Sequence, residues 1–366
     1  MTGKIRHYFT GGNTAKGYHH FIESNVDSLS RLWIMKGGPG TGKSTLMKQI
    51  GHIWLEKGFD IEWIHCSSDP DSLDGVIIPS LQIGLVDGTA PHILEPSAPG
   101  AKEEYVNLGQ DWDSRKLQSH VEEVADYNEK IEECYEEAYK TFGEALAIHD
   151  EWEEIYIDKI DRKVADQLAE NYIKKLVGNV HLHKKADVKH RFLGAVTSQG
   201  AVDYIPNLTY ELPKRYFIKG RPGTGKSTLL KKLAKKAEQC GLDVEVYHCG
   251  FDPENLNMVI VRELGFAIFD STAPHEYFPE REGDEILDTY EKIIPPGTDE
   301  ENAEAIQEIR QRYNVKMDEG IACLKKAKYL HDELESIYIE SMDFEQVNKI
   351  QQSIHAQIEE LVGLSE

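Results

Sequence analysis

The chain has 366 residues, with 41 Lys and Arg against 64 Asp and Glu, so its formal charge is −23. Its 40% hydrophobic and 29% charged residues, with 29 Gly and 14 Pro, describe a globular chain long enough for two cores and exclude a collagenous or low-complexity one. The acidic balance weighs against gripping duplex nucleic acid by charge, no run approaches the ~20 apolar residues of a membrane span, and five scattered cysteines behind an amino terminus without a signal-like apolar core fit a cytoplasmic protein.

Compared with itself, the sequence aligns without a gap at an offset of 183 residues from about residue 4 to residue 92, and residues 37–92 share 26 of 56 positions with residues 220–275. Because 183 is half the length, the chain reads as one unit written twice, 1–183 and 184–366, forming an internal pseudo-dimer. In chain order, Phe9-x-Gly11-x-x-Thr14-x-x-Gly17 and Phe192-x-Gly194-x-x-Thr197-x-x-Gly200 predict a strand and tight turn. Leu32–Met35 and Tyr216–Ile218 predict short strands that lead into Gly37-Gly-Pro-Gly-Thr-Gly-Lys43-Ser44 and Gly220-Arg-Pro-Gly-Thr-Gly-Lys226-Ser227. The apolar stripes after each loop (Leu46, Ile50, Ile53, Trp54; Leu229, Leu233, Ala234, Ala237) predict helices ending at Gly58 and Gly241, where glycine accepts a left-handed cap.

Asp60–Cys66 and Asp243–Cys249 alternate like strands, and Asp69-Pro70 or Asp252-Pro253 follows each. Leu81–Asp87 and Leu264–Asp270 are apolar runs ending in Asp, and both continue to Thr-Ala-Pro-His, at Thr89–His92 and Thr272–His275. Residues 101–178 and about 300–363 are rich in Glu, Lys, Ala, Leu and Tyr, with apolar positions at three- and four-residue steps, and predict amphipathic helices able to pack the halves together or act as a lever or lid. Residues 179–186, which include His181 and His183, predict a solvated linker.

Both glycine loops satisfy G-x-x-x-x-G-K-[ST] between a strand and a helix. Glycines let successive amides curl around a polyphosphate, and the helix amino terminus adds favourable dipole charge. On these residues the chain resembles P-loop NTPases over 31–92 and 214–275. The tandem layout resembles an uncharacterised bacterial family described as ATPases, with one such loop per half. The expected fold is α/β: tandem duplicated P-loop NTPase domains of mostly parallel sheet flanked by helices, each with a helical subdomain.

The resemblance implies a nucleotide cradle of Gly38, Pro39, Gly40, Thr41, Gly42, Lys43, Ser44 and Thr45 in one half and Pro222, Gly223, Thr224, Gly225, Lys226, Ser227 and Thr228 in the other. Lys43 and Lys226 would reach the β and γ phosphates, and Ser44, Ser227, Asp87 and Asp270 would hold Mg²⁺. Gly88 or Ser271 follows the strand-end Asp where many ATPases place a catalytic Glu, which leaves Asp69, His92 and their counterparts Asp252 and His275 as candidate water-activating groups. Asp69 and Asp252 read equally well as turn initiators. His65, Cys66 and His92 lack a fourth ligand for zinc, and the Phe9 and Phe192 motifs either complete the sheet or touch a base or ribose. The absence of an Asn-Lys-x-Asp segment favours ATP by default. Arg31, Arg221, Arg262 and Arg281 are candidates for a transition-state arginine, and Arg221 replaces Gly38 in the second loop, so the two sites need not be equivalent. His149 and Glu153, like His331 and Glu335, sit four apart on a helix, as a shared site or a solvated face.

The expected activity is Mg-dependent ATP hydrolysis coupled to movement of the halves. Transfer of the γ-phosphate to a nucleotide or small metabolite, and a nucleotide-switched interaction protein with little turnover, remain the rival readings. The partner, protein or small molecule, is not specified by the residues.

Overall fold

A computed structural model describes residues 2–363. The strands of the first half are β1 (Ile5–Phe9), β2 (Gly11–Thr14), β3 (Gly17–His20), β4 (Arg31–Lys36), β5 (Ile61–His65), β6 (Leu73–Ile78), β7 (Ile83–Asp87) and β8 (Glu103–Asn107). Those of the second are β9 (Val188–Phe192), β10 (Gly194–Thr197), β11 (Gly200–Asp203), β12 (Lys214–Lys219), β13 (Val244–His248), β14 (Leu256–Val261), β15 (Phe266–Asp270) and β16 (Asp284–Asp288). The helices are α1 (Ile22–Val26), α2 (Lys43–Glu56), α3 (Ser114–Ser119), α4 (Val121–Ile157), α5 (Arg162–Leu176), α6 (Ile205–Thr209), α7 (Lys226–Gln239), α8 (Thr289–Ile293), α9 (Thr298–Glu301), α10 (Ala303–Ile339) and α11 (Phe344–Gly363).

Twelve strands form one sheet in the order β16-β12-β15-β14-β13-β9-β1-β5-β6-β7-β4-β8. The order reads the same from either edge once strands eight apart in number are equated. Within each half five strands run one way, and only β6 or β14 runs against them. The halves meet where β1 and β9 touch antiparallel at Phe9 and Phe192. Arg191, 3% exposed, fills that joint, its guanidinium 3.7 Å from the Tyr8 ring centre and 2.8 Å from the Glu62 carboxylate.

The Phe9 and Phe192 motifs turn into the β2-β3 and β10-β11 hairpins. Asn13, fully buried, donates to the carbonyls of Ser67 and Val196 and accepts from the Tyr139 hydroxyl, so this hairpin knits the two halves to α4.

Strands β8, β6 and β14 depart from the sequence reading. The helical region after residue 101 begins only at Ser114, because Glu103–Asn107 pairs in parallel with β4 as an edge strand; backbone pairing outweighs the helix preference of its two Glu residues. Strands β6 and β14 are covered on both faces, with only Asn257 half-buried, and so give no apolar–polar alternation to read.

The helical segments cross. Each of α4 and α10 has 37 residues, roughly 55 Å at the helical rise. They pack antiparallel: Phe142 lies against Gly320, Lys316 pairs with Glu144, and Arg312 pairs with Glu151. Each long helix thereby carries its chain to the opposite half. Val347, Ile354 and Ile358 of α11 join the core of Leu46, Ile50 and Trp54 in the first half, while Ala169 of α5 and Val177 beyond it join Leu229, Leu233 and Ala237 in the second.

Candidate functional site

Both glycine loops leave a strand at its carboxyl end and enter a 14-residue helix, α2 or α7, whose first residues are Lys43-Ser44 or Lys226-Ser227. Gly40 (φ 67°) and Gly42 (φ 89°) take left-handed backbone, as do Gly223 and Gly225, a conformation costly for any residue with a Cβ. Thr41 and Thr224, each 1% exposed, staple the loops from inside by donating to the carbonyls of Gly38 and Arg221. Lys43 Nζ donates to the carbonyls of Gly37 (3.0 Å) and Gly38 (2.8 Å), and Lys226 Nζ to that of Arg221 (3.0 Å). These lysines curl onto the backbone carbonyls of their own loops.

The strand-end aspartates close the sites. Asp87 Oδ2 lies 3.6 Å from Lys43 Nζ and Asp270 Oδ2 3.5 Å from Lys226 Nζ. Each Oδ1 accepts from the amide and hydroxyl of the threonine two residues on, Thr89 or Thr272, which fixes the carboxylate plane. The hydroxyls of Ser44 and Ser227 accept the amides of Leu73 and Leu256 at 3.0 and 2.9 Å. Serine hydroxyl and carboxylate oxygens are hard donors, of the type that suits Mg²⁺. Thr45 and Thr228 follow in the first helical turn, and Thr228 lines a cavity of about 350 Å³ beside the second loop. The larger cavity, about 390 Å³, surrounds Arg191 and Arg262 at the joint of the halves and touches neither loop.

The crossed helices end on these loops. A Cβ on Gly38 would meet the Tyr338 ring at 2.8 Å, and one on Gly40 would meet the Glu335 carbonyl at 2.8 Å. Glu335 Oε1 accepts a hydrogen bond from the Gly40 amide at 3.3 Å. The turn after α10 is held by segment 111–113: Asp113 N–H donates to Ser341 O (2.7 Å) and Asp343 N–H to Asp111 O (2.9 Å). At the second loop a Cβ on Gly223 would lie 3.0 Å from both the Glu153 carbonyl and Ile157 Cγ1, so the end of α4 occupies the matching place. Arg221, where the first loop has Gly38, turns to Asp299 (2.9 Å), whose other oxygen accepts from the Tyr156 hydroxyl.

His331, Asp332 and Glu335 present ligand atoms within 4.8 Å of one another, the one His/Asp/Glu group among the described residues so arranged. The packing of its ring lowers the His331 pKa against the pull of Glu335 and Asp332, and Lys43 pushes in the same downward direction. The motif thus stands within electrostatic reach of the first loop. His149 likewise feels Lys226, and its pKa falls with burial.

The other candidates have structural partners. Asp69 accepts from the Asp71 amide and the Ser72 hydroxyl and faces Lys328 at 3.5 Å; Asp252 accepts from the Glu254 amide and the Asn255 side chain and pairs with Lys16 at 3.0 Å. His65 Nδ1 must donate to the Pro70 carbonyl (2.7 Å), so its Nε2 accepts from His7 Nδ1 (2.9 Å), and neither nitrogen is free. Arg31 pairs with Glu104, Arg262 with Glu245 and Arg281 with Asp284, all away from the loops.

Sequence reasoning missed Asp74. It is 8% exposed at the start of β6, with His92 Nε2 3.7 Å away and the Tyr18 hydroxyl on the other ring nitrogen of that histidine at 2.9 Å. Burial raises the Asp74 pKa; Asp87 adds to the rise, while His92, Cys66 and Lys43 oppose it. At the 183-residue offset its counterpart is Asn257, and His275 pairs instead with Asp203 at 2.7 Å. That Asp-to-Asn difference was a signal available in the sequence. No family model, curated protein or solved structure matches this chain.

Proposed function

We propose that the chain binds ATP with Mg²⁺ at both glycine loops and hydrolyses it, using the nucleotide to shift the halves and their crossed helices. The observation that carries this reading is the twice-built Lys–Asp pair, 3.6 and 3.5 Å apart, at the mouth of a left-handed glycine turn that opens a helix. The resemblance of the loops to those of P-loop NTPases, and of the repeated layout to tandem ATPases, supports it. On this reading the sequence is a duplicated unit.

The loop amides and helix amino termini would hold the phosphate chain, and Lys43 and Lys226 would exchange their loop carbonyls for phosphate oxygens. Ser44 with Asp87, and Ser227 with Asp270, would hold Mg²⁺, which when bound neutralises charge on the β and γ phosphates. Thr89 and Thr272 would keep each aspartate turned toward that position. The helix ends laid across both loops favour coupling of nucleotide to movement over transfer to an acceptor. Equilibrium titration with Mg-ATP should give two sites in the unaltered protein, one in Lys43→Ala or Lys226→Ala, and none in the double variant. Undiminished binding by the double variant removes the proposal.

A further inference from the structure

A carboxylate with no part in binding the phosphate chain faces the first cradle from the opposite half. Glu335 Oε1 reaches the Gly40 amide, and the residue stands 295 positions from it in sequence. Its partner on the helix, His331, has Nδ1 3.8 Å from Glu335 Oε1, and the same spacing holds between His149 Nδ1 and Glu153 Oε1 over the second loop. Asp69 and Asp252 are tied into their own turns, and both nitrogens of His92 face partners. Asp74 cannot serve both sites, since its counterpart is Asn257. At the first loop the carboxylate of Glu335 is left, and at the second Glu153 stands in the matching place, its backbone carbonyl 3.0 Å from where a Cβ on Gly223 would lie.

We propose that Glu335 at the first loop, and Glu153 at the second, accept the proton of the water that attacks the terminal phosphate, so that each loop is completed by the helix of the other half. This rests on the reading of the loops as Mg-ATP sites. When the phosphate chain takes the Gly40 amide, like charge drives the carboxylate back by about one water layer, the position a general base needs. The water oxygen bonds to the terminal phosphorus as its proton passes to Glu335. The bond from that phosphorus to the bridging oxygen breaks, its electron pair leaves on ADP, and Glu335 later yields the proton to solvent. The Tyr338 ring against Gly38 and the bonds between segments 111–113 and 341–343 keep the end of α10 that carries Glu335 beside the loop while the side chain itself gives way.

The test is single-turnover hydrolysis and equilibrium Mg-ATP binding in a Lys226→Ala background, which isolates the first loop, for Glu335→Gln, Glu335→Asp and Glu335→Ala. Gln keeps an oxygen for the Gly40 amide and so preserves packing. Expected is binding within about threefold of the background, a rate lowered on the order of 10²–10³-fold in Gln and Ala, and partial recovery in Asp. A rate in the Gln variant equal to the background, with Asp impaired, assigns Glu335 to packing and overturns the proposal while nucleotide binding stands. Faster turnover and tighter binding in the Gln variant make Glu335 a plug and also overturn it. Absence of Mg-ATP binding in the unaltered protein overturns both this assignment and the reading beneath it.

Discussion

Glu335 accepts the amide proton of Gly40 at 3.3 Å across the whole breadth of the chain. The contact exists because α10 runs antiparallel to α4 and delivers its carboxyl end to the loop of the other half.

Deleting residues 344–366 removes α11, and with it Val347, Ile354 and Ile358 from the core around Trp54. Hydrogen exchange should then show loss of protection in α2, while α7, covered by α5, keeps its own. Equal loss in both helices, or loss confined to α7, would count against crossed packing.

Gly320→Ala should destabilise the protein by about 1–3 kcal/mol. The new Cβ would sit 2.3 Å from Cε1 of Phe142, which is fully buried and cannot swing aside. Alanine in an exposed helix would instead stabilise by up to about 1 kcal/mol, so chemical denaturation decides by the sign of the change.

Gly40→Ala meets two obstacles: φ of 67° and the Glu335 carbonyl 2.8 Å from the new atom. It should lower the melting temperature by several degrees, for a cost of about 1–3 kcal/mol, and weaken Mg-ATP binding at the first loop only. Gly297→Ala, also at positive φ (89°) but with no neighbour within 4 Å of its Cβ, serves as the control for strain without contact.

Stability should fall on acidification. His65 and His248 are neutral in the fold, with burial lowering each pKa from 6.5 to about 4. Between those values the unfolded chain binds more protons, so the stabilisation is complete above about pH 6.5 and is lost as pH falls toward 4. For His65 the loss is about 2 kcal/mol at pH 5. Urea titrations at pH 7.5 and 5 should show it, and a His65→Asn variant should show less of it.

Asp74→Asn should stabilise the protein at neutral pH. Burial holds the folded carboxyl's pKa above its ordinary value, so the fold bears the cost of an ionised buried group at high pH and not at low pH. The gain in melting temperature should shrink as pH falls toward 4. A variant that melts lower than the unaltered protein at pH 7.5 would refute this account.

Much of the architecture was legible along the chain. The 183-residue offset, the glycine loops, the strands before them and the stripes of α2 and α7 all follow from local rules: φ above zero where glycine stands, apolar side chains on one face of a helix. Those rules also placed Asp87 and Asp270 at strand ends; that Lys43 and Lys226 lie beside them came only from the structure. The strand β6 was not readable, because a segment buried on both faces carries no alternation. Nor could Asp69 be separated from a turn former until its oxygens were seen to be engaged.

Which backbone can curl, and which residue types stand at each strand's end, follow from the order of residues alone, since these depend on neighbours a few positions away. Which helix covers which loop is set by contacts between segments far apart in the chain. Amphipathic stripes of α4 and α10 specify that a face must be buried and say nothing of against what, so the meeting of Glu335 with Gly40 emerges solely from the antiparallel pairing of two helices of about 55 Å and the joining of both halves in one sheet.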